Sequence, residues 1–182
     1  VEELFEARKP KKMATLSEIA GKVRFEDATK GSLLNIIVTA DDGDTRTYSM
    51  PHTGLQVRDG EVIEKGRQLQ DGALNPHDVL RIRGASAVHN YLIQEVLKVY
   101  RQQGVDINDK HIEVIVHQML RRITVIDSGD TDLLPGELVD QARFKAANMK
   151  AVKEGGKPAA GRPELMGITK ASLATDSFLS AA

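Results

Sequence analysis

Apolar residues in the second half of the chain recur at the three- and four-residue steps of an amphipathic helix. Asn108 stands where an N-cap would satisfy the first free N–H groups, and Ile107 and Ile112 are spaced for a hydrophobic staple. We predict a helix over residues 108–122, ending in two arginines that suit the negative end of its dipole. Its buried stripe is predicted to consist of Ile112, Ile115, Val116, Met119 and Leu120.

The helical period marks five other segments of the chain. Pro10 ends the first, and Gly84 separates the second from the third, because neither residue continues a helix well. Ser86 is predicted to cap the third, and Thr175 or Asp176 the last. The predicted helical segments are residues 1–8, 76–82, 86–103 and 138–154, and a final helix that begins at this last cap.

The first half of the chain has instead the alternation and the β-branched content of strands. Residues 33–39 form the strongest predicted strand, and residues 45–50 return beside it after a turn at residues 41–44. An earlier strand is expected around Val23. In the second half, residues 124–126 and 165–168 are predicted as short strands, and residues 157–163 as a loop.

Residues 57–69 follow the pattern V-x-x-G-x-V-x-x-x-G-x-x-L. This pattern is similar to biotinyl- and lipoyl-type barrel-sandwich modules, whose glycines permit tight turns and whose aliphatic residues alternate into a small core. In those carriers the modified lysine lies between methionines at a hairpin tip. Lys65 lies within a turn and has no flanking Met. We therefore expect this segment to be scaffold and not a carrier site.

Together these segments predict an α+β fold, with an N-terminal β-rich, barrel-sandwich-like module followed by a mainly helical part that contains a helical hairpin. Three regions are expected: a helix end and basic linker at residues 1–14, the β-rich module at residues 15–73, and the helical region at residues 74–182. The chain begins with Val1 and its last residues continue a helical pattern. We therefore expect it to be cut from a longer polypeptide.

Composition excludes several classes of site. The 182 residues contain no cysteine, which excludes disulfides and thiolate metal sites. Aromatic residues make up 4% and Trp is absent, which argues against a stacking platform for single-stranded nucleic acid. No apolar run approaches the roughly 20 residues that span a bilayer, and no signal-peptide pattern opens the chain.

No metal site is predicted from the histidines. His111 and His117 are six residues apart on one predicted helix, so their side chains point about 120° away from each other. Only Glu113 shares a face with His117, and two ligands do not make a site. We expect this face to be polar surface.

No catalytic centre is predicted either. The chain has no G-x-S-x-G elbow, no P-loop and no G-x-G-x-x-G pattern. Asp127, Asp130 and Asp132 resemble the start of a calcium-binding loop, but their spacing is wrong and the distal Glu is missing. We expect these three aspartates to be turn residues.

Charge is balanced over the whole chain but not locally. There are 25 basic and 26 acidic residues, whereas a free-standing DNA-binding domain usually has a clear basic excess. Near the start, Arg8, Lys9, Lys11 and Lys12 surround Pro10, which holds the backbone extended so that several positive side chains can follow a phosphate backbone. This distribution favours a module that contacts DNA at one edge and protein elsewhere.

Four stretches carry a resemblance to a known family. They are VEELFEARKPK at the start, NPHDVLRIRG from Asn75, GVDINDKHIEVIVHQMLRR from Gly104 and GITKASLATDSFLSAA from Gly167. In this order they are similar to stretches of the C-terminal part of the β′ subunit of bacterial RNA polymerases. Together they span nearly the whole chain.

The resemblance implies a non-catalytic part of a DNA-directed RNA polymerase, a nucleotidyltransferase that makes RNA on a DNA template with Mg²⁺. The family's Asn-Ala-Asp-Phe-Asp-Gly-Asp motif, which holds the metal, is absent here. We therefore expect no catalytic residue, no metal and no cofactor within these residues. By resemblance they form the jaw and the adjoining cleft region, between the trigger loop and the first switch segment. There they would line the downstream DNA channel and link the trigger-loop base to the clamp hinge.

The partners implied by the resemblance are the other polymerase subunits, the rest of β′, downstream duplex DNA and transcription regulators, with no membrane. The implied location is the cytoplasm, at the nucleoid. The family places the basic cluster near downstream DNA and turns the last stretch toward the nucleic-acid channel. The predicted DNA-binding residues are Arg8, Lys9, Lys11, Lys12, Arg121, Arg122, Thr169 and Lys170. The alternative is that the β-rich half is an independent protein-binding module without DNA contact.

Overall fold

The computed structural model describes residues 2–10, 13–27 and 31–173. Its helices are α1 Glu2–Phe5, α2 Pro76–Arg83, α3 Ala85–Gln102, α4 Asp109–Met119, α5 Gln141–Lys153 and α6 Ile168–Leu173. Its strands are β1 Gly21–Asp27, β2 Leu33–Thr39, β3 Thr45–Pro51, β4 Val62–Ile63, β5 Arg122–Asp127, β6 Leu138–Asp140 and β7 Ala160–Glu164. A curled antiparallel sheet near the N-terminus is followed by helices, which confirms the predicted α+β class. The chain forms two compact units, Lys9–Val88 and Val1–Arg8 with His89–Ala182.

The unit Lys9–Val88 is built on an antiparallel sheet in the order β3-β2-β1-β4. Strand β2 has the predicted bounds, and β3 returns beside it with Thr39 opposite Thr45. The turn between them is closed by a hydrogen bond of 2.8 Å from the Ala40 N–H to the backbone carbonyl of Asp44. Gly43 within this turn has a φ of 88°. Alternate residues of the strands enter one core, which consists of Val23, Leu34, Ile36, Val38, Met50, Val57, Ile63 and Leu69.

One edge of this sheet is completed by a side chain. Strand β4 has two residues and β1 has seven, so β4 pairs only with the beginning of β1. Val23 donates its N–H to the carbonyl of Glu61 at 2.8 Å. At the next position on the same edge, the Phe25 N–H donates to Asp59 Oδ1 at 3.0 Å. The Asp59 carboxylate therefore supplies the acceptor that a longer β4 would have provided.

The segment 57–69 is part of this scaffold. Its aliphatic residues Val57, Ile63 and Leu69 are buried in the core of the sheet. Lys65 is exposed and precedes Gly66, whose φ is 87°. The carbonyl of Gly66 is fixed by Arg83 of α2, which donates its Nε–H at 2.7 Å.

Helix α2 is attached to the same unit by its cap and by an ion pair. Asn75 is its N-cap, and its side chain accepts the N–H two residues further on. Arg81 reaches Glu18 and Asp78, each at 3.3 Å. The hydrogen bond that Arg81 donates to the Asp78 carboxylate raises the pKa of Arg81 above its ordinary value.

The other unit contains the predicted helix α4 and a second sheet, in the order β6-β5-β7. On α4, Asn108 is the N-cap and accepts the Lys110 N–H at 3.1 Å, which confirms the predicted helix start. The predicted stripe is also confirmed, because its five members are buried or half-buried. Helix α5 packs on the second sheet over a core of Val125, Leu133, Val139 and Ala159, flanked by Phe144 and Ala147. No helix in the described ranges is long and apolar enough to cross a membrane.

The prediction of one helix over residues 138–154 is wrong at its start. Glu137 donates its backbone N–H to the carbonyl of Leu134 at 3.0 Å across Pro135-Gly136, with Gly136 at a φ of 83°. Proline followed by glycine at the centre of a turn favours a reversal of the chain. Residues 138–140 therefore pair with β5 as strand β6, and α5 begins only at Gln141.

Three smaller predictions also differ from the structure, and a fourth is not tested by it. Helix α3 begins at Ala85, so Ser86 lies inside it and is not its cap. The strand expected at residues 165–168 is instead β7, which begins within the predicted loop. Helix α4 ends at Met119, so Arg122 is the first residue of β5 and not a helix end. The predicted caps Thr175 and Asp176 lie outside the described residues.

Candidate nucleic-acid interface

The basic cluster begins where α1 ends. Ala7 adopts a φ of 51°, and the N–H groups of Ala7 and Arg8 bond back to Leu4 and Glu3 at 3.1 and 3.0 Å. This is the Schellman pattern that closes a helix with one left-handed residue. Arg8 and Lys9 then follow as exposed residues. The pattern therefore presents Arg8 to solvent just after the helix, 3.6 Å from Glu2.

Only part of this cluster is described. Pro10 is half-buried, and the following Lys11 and Lys12 lie outside the described residues. The predicted DNA contacts of Lys9, Lys11 and Lys12 stay predictions.

The second predicted group, at the start of α6, is tied to the end of α1. The Glu6 carboxylate oxygen Oε1 accepts both the N–H of Thr169 at 3.2 Å and its hydroxyl at 2.6 Å. Gly167 lies against the same residue, because a Cβ at Gly167 would be 2.6 Å from the Glu6 carbonyl oxygen. Lys170 follows as an exposed side chain. The structure thus brings Thr169, a predicted DNA-binding residue, into contact with a residue 163 positions away that lies just before the basic cluster.

The hydroxyl and the N–H of Thr169, a predicted DNA-binding residue, both have an acceptor inside the protein. The carboxylate of Glu6 carries the negative charge that an incoming phosphate would otherwise supply. Among the residues described at this place, Lys170 and Arg8 remain as exposed cations. We therefore regard these two side chains as the stronger candidates for phosphate contact.

Arg121 and Arg122 converge on one acidic residue. Arg121 Nη2 lies 3.0 Å from Asp140 Oδ2 and its Nη1 donates to Gln118 at 3.0 Å. Arg122 Nη1 lies 3.8 Å from the same Asp140 oxygen, and its side chain is only 14% exposed. Asp140 also precedes α5 as its N-cap residue, without a side-chain cap bond. This arrangement joins the end of α4, the start of β5 and the start of α5.

Asp127 and Asp130, two of the three aspartates at residues 127–132, accept hydrogen bonds from backbone N–H groups. Asp127 Oδ1 accepts the Gly129 N–H at 3.0 Å, and Asp130 Oδ2 accepts the Lys157 N–H at 2.6 Å. The first is the side chain-to-backbone bond of a turn, whereas the second joins residues that are 27 positions apart. In the part of the chain that the structure describes, no three His, Asp or Glu side chains are grouped to hold a metal ion.

The histidines of α4 lie on its exposed side. His111, Glu113 and His117 are all solvent-exposed, in agreement with the predicted polar face. The buried side of the same helix contacts α1 and α6. Helix α4 therefore supports α6, which carries Lys170, and α1, which ends shortly before Arg8.

Sequence reasoning missed Glu6. An acidic residue at the end of a four-residue helix gives no local signal, and its partner is 163 positions away. The one usable signal was Gly167, since a glycine directly before a helix often marks a close approach of two backbone segments. Gly167 therefore indicates where two segments meet, but not which residue lies on the other side.

Comparison with known proteins identifies the family. Residues 12–176 match the model for RNA polymerase Rpb1, domain 5. Proteins described as "DNA-directed RNA polymerase subunit beta'" from Bifidobacterium adolescentis and Acetivibrio thermocellus are 62% and 58% identical to this chain over its full length. The protein of the same description from Kocuria rhizophila is also 58% identical over the full length.

The chain corresponds to a small part of these relatives. It spans 14% of the length of the Bifidobacterium and Kocuria proteins and 16% of the Acetivibrio protein. The identity extends over both compact units, since the whole chain is covered in each case. The chain therefore belongs to the RNA polymerase Rpb1 domain 5 family, and its sequence corresponds to a segment of bacterial β′ subunits.

Proposed function

We propose that this chain is part of the β′ subunit of a DNA-directed RNA polymerase and that it acts in DNA-templated transcription. The observation that carries the proposal is identity of 54–62% along the whole chain with bacterial proteins of that description. Within such an enzyme, which is a nucleotidyltransferase, these residues would make no contact with the reacting groups. The Mg²⁺ of the whole enzyme would be held by residues outside this segment, because the metal-binding motif of the family is absent from its sequence.

The role of the segment is to line the downstream DNA channel and to connect the trigger-loop base with the clamp hinge. The exposed cations Arg8, Lys9 and Lys170 support contact with the DNA backbone. Such contacts are made to phosphates and are independent of base sequence. The bond between Glu6 and Thr169 supports the connecting role, because it joins the two ends of the described chain.

The proposed partners follow from this role. They are the other polymerase subunits, the rest of β′, downstream duplex DNA and regulators of transcription, in the cytoplasm at the nucleoid. Arg121 and Arg122 are the weakest of the proposed DNA contacts, because both already lie within 4 Å of Asp140.

A salt titration of polymerase assembled with altered β′ tests the DNA contacts. Each phosphate neutralised by a lysine contributes about 0.9 to the slope of log affinity against log salt. Replacing Lys9, Lys11 and Lys12 together by Ala should therefore flatten the slope by up to about 2.7 units. The matched control replaces three exposed lysines of α5, Lys145, Lys150 and Lys153, which removes the same charge elsewhere. Equal slopes for the two triple variants would reject the assignment.

A protein-binding role for the β-rich unit is the second candidate. It is favoured by one observation, that Lys9–Val88 has its own sheet and its own core. In that case the slope of DNA binding would be unchanged in every basic variant. Deletion of the unit would instead weaken the binding of a protein partner to the polymerase while DNA affinity stayed the same.

A further inference from the structure

Glu6 lies two residues before the exposed cation Arg8, and its carboxylate contacts Thr169, which directly precedes the exposed Lys170. We propose that Glu6 is a positioning residue, which holds the first turn of α6 so that Lys170 can contact the DNA backbone. The inference rests on the proposed function, because it concerns how one of its DNA contacts is made. Neither the sequence of the basic cluster nor that of α6 predicts that a carboxylate has this role.

The first turn of α6 is hydrogen-bonded to Glu6. The first N–H groups of a helix have no partner within it, and a side-chain oxygen usually supplies one. Here Glu6 Oε1 accepts the Thr169 N–H at 3.2 Å and the Thr169 hydroxyl at 2.6 Å. Helix α6 has six residues, fewer than an isolated helix needs to persist in water. Its first turn, which includes Lys170, therefore depends on tertiary contacts of this kind.

Gly167 approaches Glu6 closely. A Cβ at this position would lie 2.6 Å from the Glu6 carbonyl oxygen and 2.8 Å from Glu6 Oε2. Any other residue would push the two segments apart. Gly167→Ala therefore opens the contact without changing any charge. This offers a way to separate the position of α6 from the charge of Glu6.

Charge and positioning predict opposite changes in DNA affinity when Glu6 is removed. If Glu6 acted only through its charge, removing it would strengthen DNA binding, because a carboxylate repels phosphates. If Glu6 acts by positioning Lys170, removing it weakens DNA binding despite the more favourable charge. Glu6→Gln is a second way to distinguish the charge effect from the positioning effect. Its amide oxygen can still accept both Thr169 hydrogen bonds, but it carries no charge.

The experiment measures the affinity of polymerase with variant β′ for duplex DNA between 50 and 200 mM salt. One lost phosphate contact lowers the slope by about 0.9, which is a change of about 3.5-fold in affinity over that fourfold range. We expect this loss for Glu6→Ala and Gly167→Ala, and a slope like that of the unaltered enzyme for Glu6→Gln. Glu3→Ala is the matched control, because it removes the same charge from the same helix at an exposed position.

Lys170→Ala completes the cycle. Once Lys170 is absent, Glu6→Ala should have no further effect on the slope. Tighter binding of Glu6→Ala, or losses that add in the double variant, would overturn the positioning role. If Lys170→Ala alone leaves the slope unchanged, the DNA contact itself is wrong, and the proposed function fails at that point. Should Glu6→Ala not assemble, Gly167→Ala and Glu6→Gln decide the question, and hydrogen exchange at residues 167–173 should be faster only in the former.

Discussion

Asp140 offers a sharp test of how the second sheet and α5 are held together. Its carboxylate lies 3.0 Å from Arg121 and 3.8 Å from Arg122, and it precedes the first turn of α5. Asp140→Ala removes the negative partner of both arginines at once. The effect should be local, because each of these groups lies in the same compact unit.

The size of the expected loss of stability follows from how exposed these side chains are. The Arg121 and Asp140 side chains are about one-third exposed, at 32% and 33%, so solvent screens their pairing. A pair of this kind contributes up to about 1 kcal/mol. Arg122 is more buried and loses a nearby opposite charge, for which we assign about 0.5 kcal/mol. A negative charge at a helix start contributes about 0.5 kcal/mol. The expected loss is therefore about 2 kcal/mol in the free energy of local opening.

Native-state hydrogen exchange measures this loss directly. Amides of β5, β6 and the first turn of α5 should exchange about 30-fold faster in Asp140→Ala, because 2 kcal/mol corresponds to that factor. Amides of the unit Lys9–Val88 should be unchanged. Asp132→Ala is the control, since Asp132 is an exposed aspartate of the same unit.

A double-mutant cycle with Arg121→Gln then isolates the pair. Contacting residues usually show a coupling of about 0.5 kcal/mol or more. If the two single changes add without coupling, or if exchange accelerates less than threefold, the assignment of Asp140 as the joint of these elements is wrong.

Two further predictions concern packing and capping. Gly161→Ala should destabilise the second sheet by about 1–3 kcal/mol, because a Cβ would lie 2.5 Å from Ile123 and 3.0 Å from the Phe144 ring. Urea unfolding followed by circular dichroism measures this loss, and an unchanged midpoint would contradict it. Asn108→Ala should cost about 1 kcal/mol, because it removes the bond to the Lys110 N–H; faster exchange confined to the first turn of α4 is the expected signature, while Asn108→Asp should retain most of the protection.

Local signals explain which elements the sequence predicts well. Strand β2 is a run of β-branched and aliphatic residues, and its hairpin turn contains Asp and Gly, so both strand and turn follow from neighbouring residues. Helix α4 combines a cap with a regular stripe. In each case the evidence lies within one element, which is why the predicted and observed bounds agree to within a few residues.

The elements that sequence reasoning missed depend on distant partners. Strand β6 has three residues and β7 has the sequence AGRPE, so neither has enough alternation to be recognised. Both become strands because β5 lies between them. The contact of Glu6 with Thr169 is of the same kind, since nothing in either segment specifies the other. The candidate cations could be predicted from runs of charge in the sequence. The residues that contact them could be identified only in the folded structure.

The carboxylate at residue 59 also has a consequence for association. An open strand edge is a template on which a foreign chain can add itself, and natural sheets discourage this with charged groups at the edge. At Phe25 of β1, the backbone N–H that points out of the sheet edge already donates to the Asp59 carboxylate. An intruding strand would have to expel an anion into solvent before it could form its first bond there. Loss of that anion by Asp59→Ala would leave this margin of the sheet open to self-assembly.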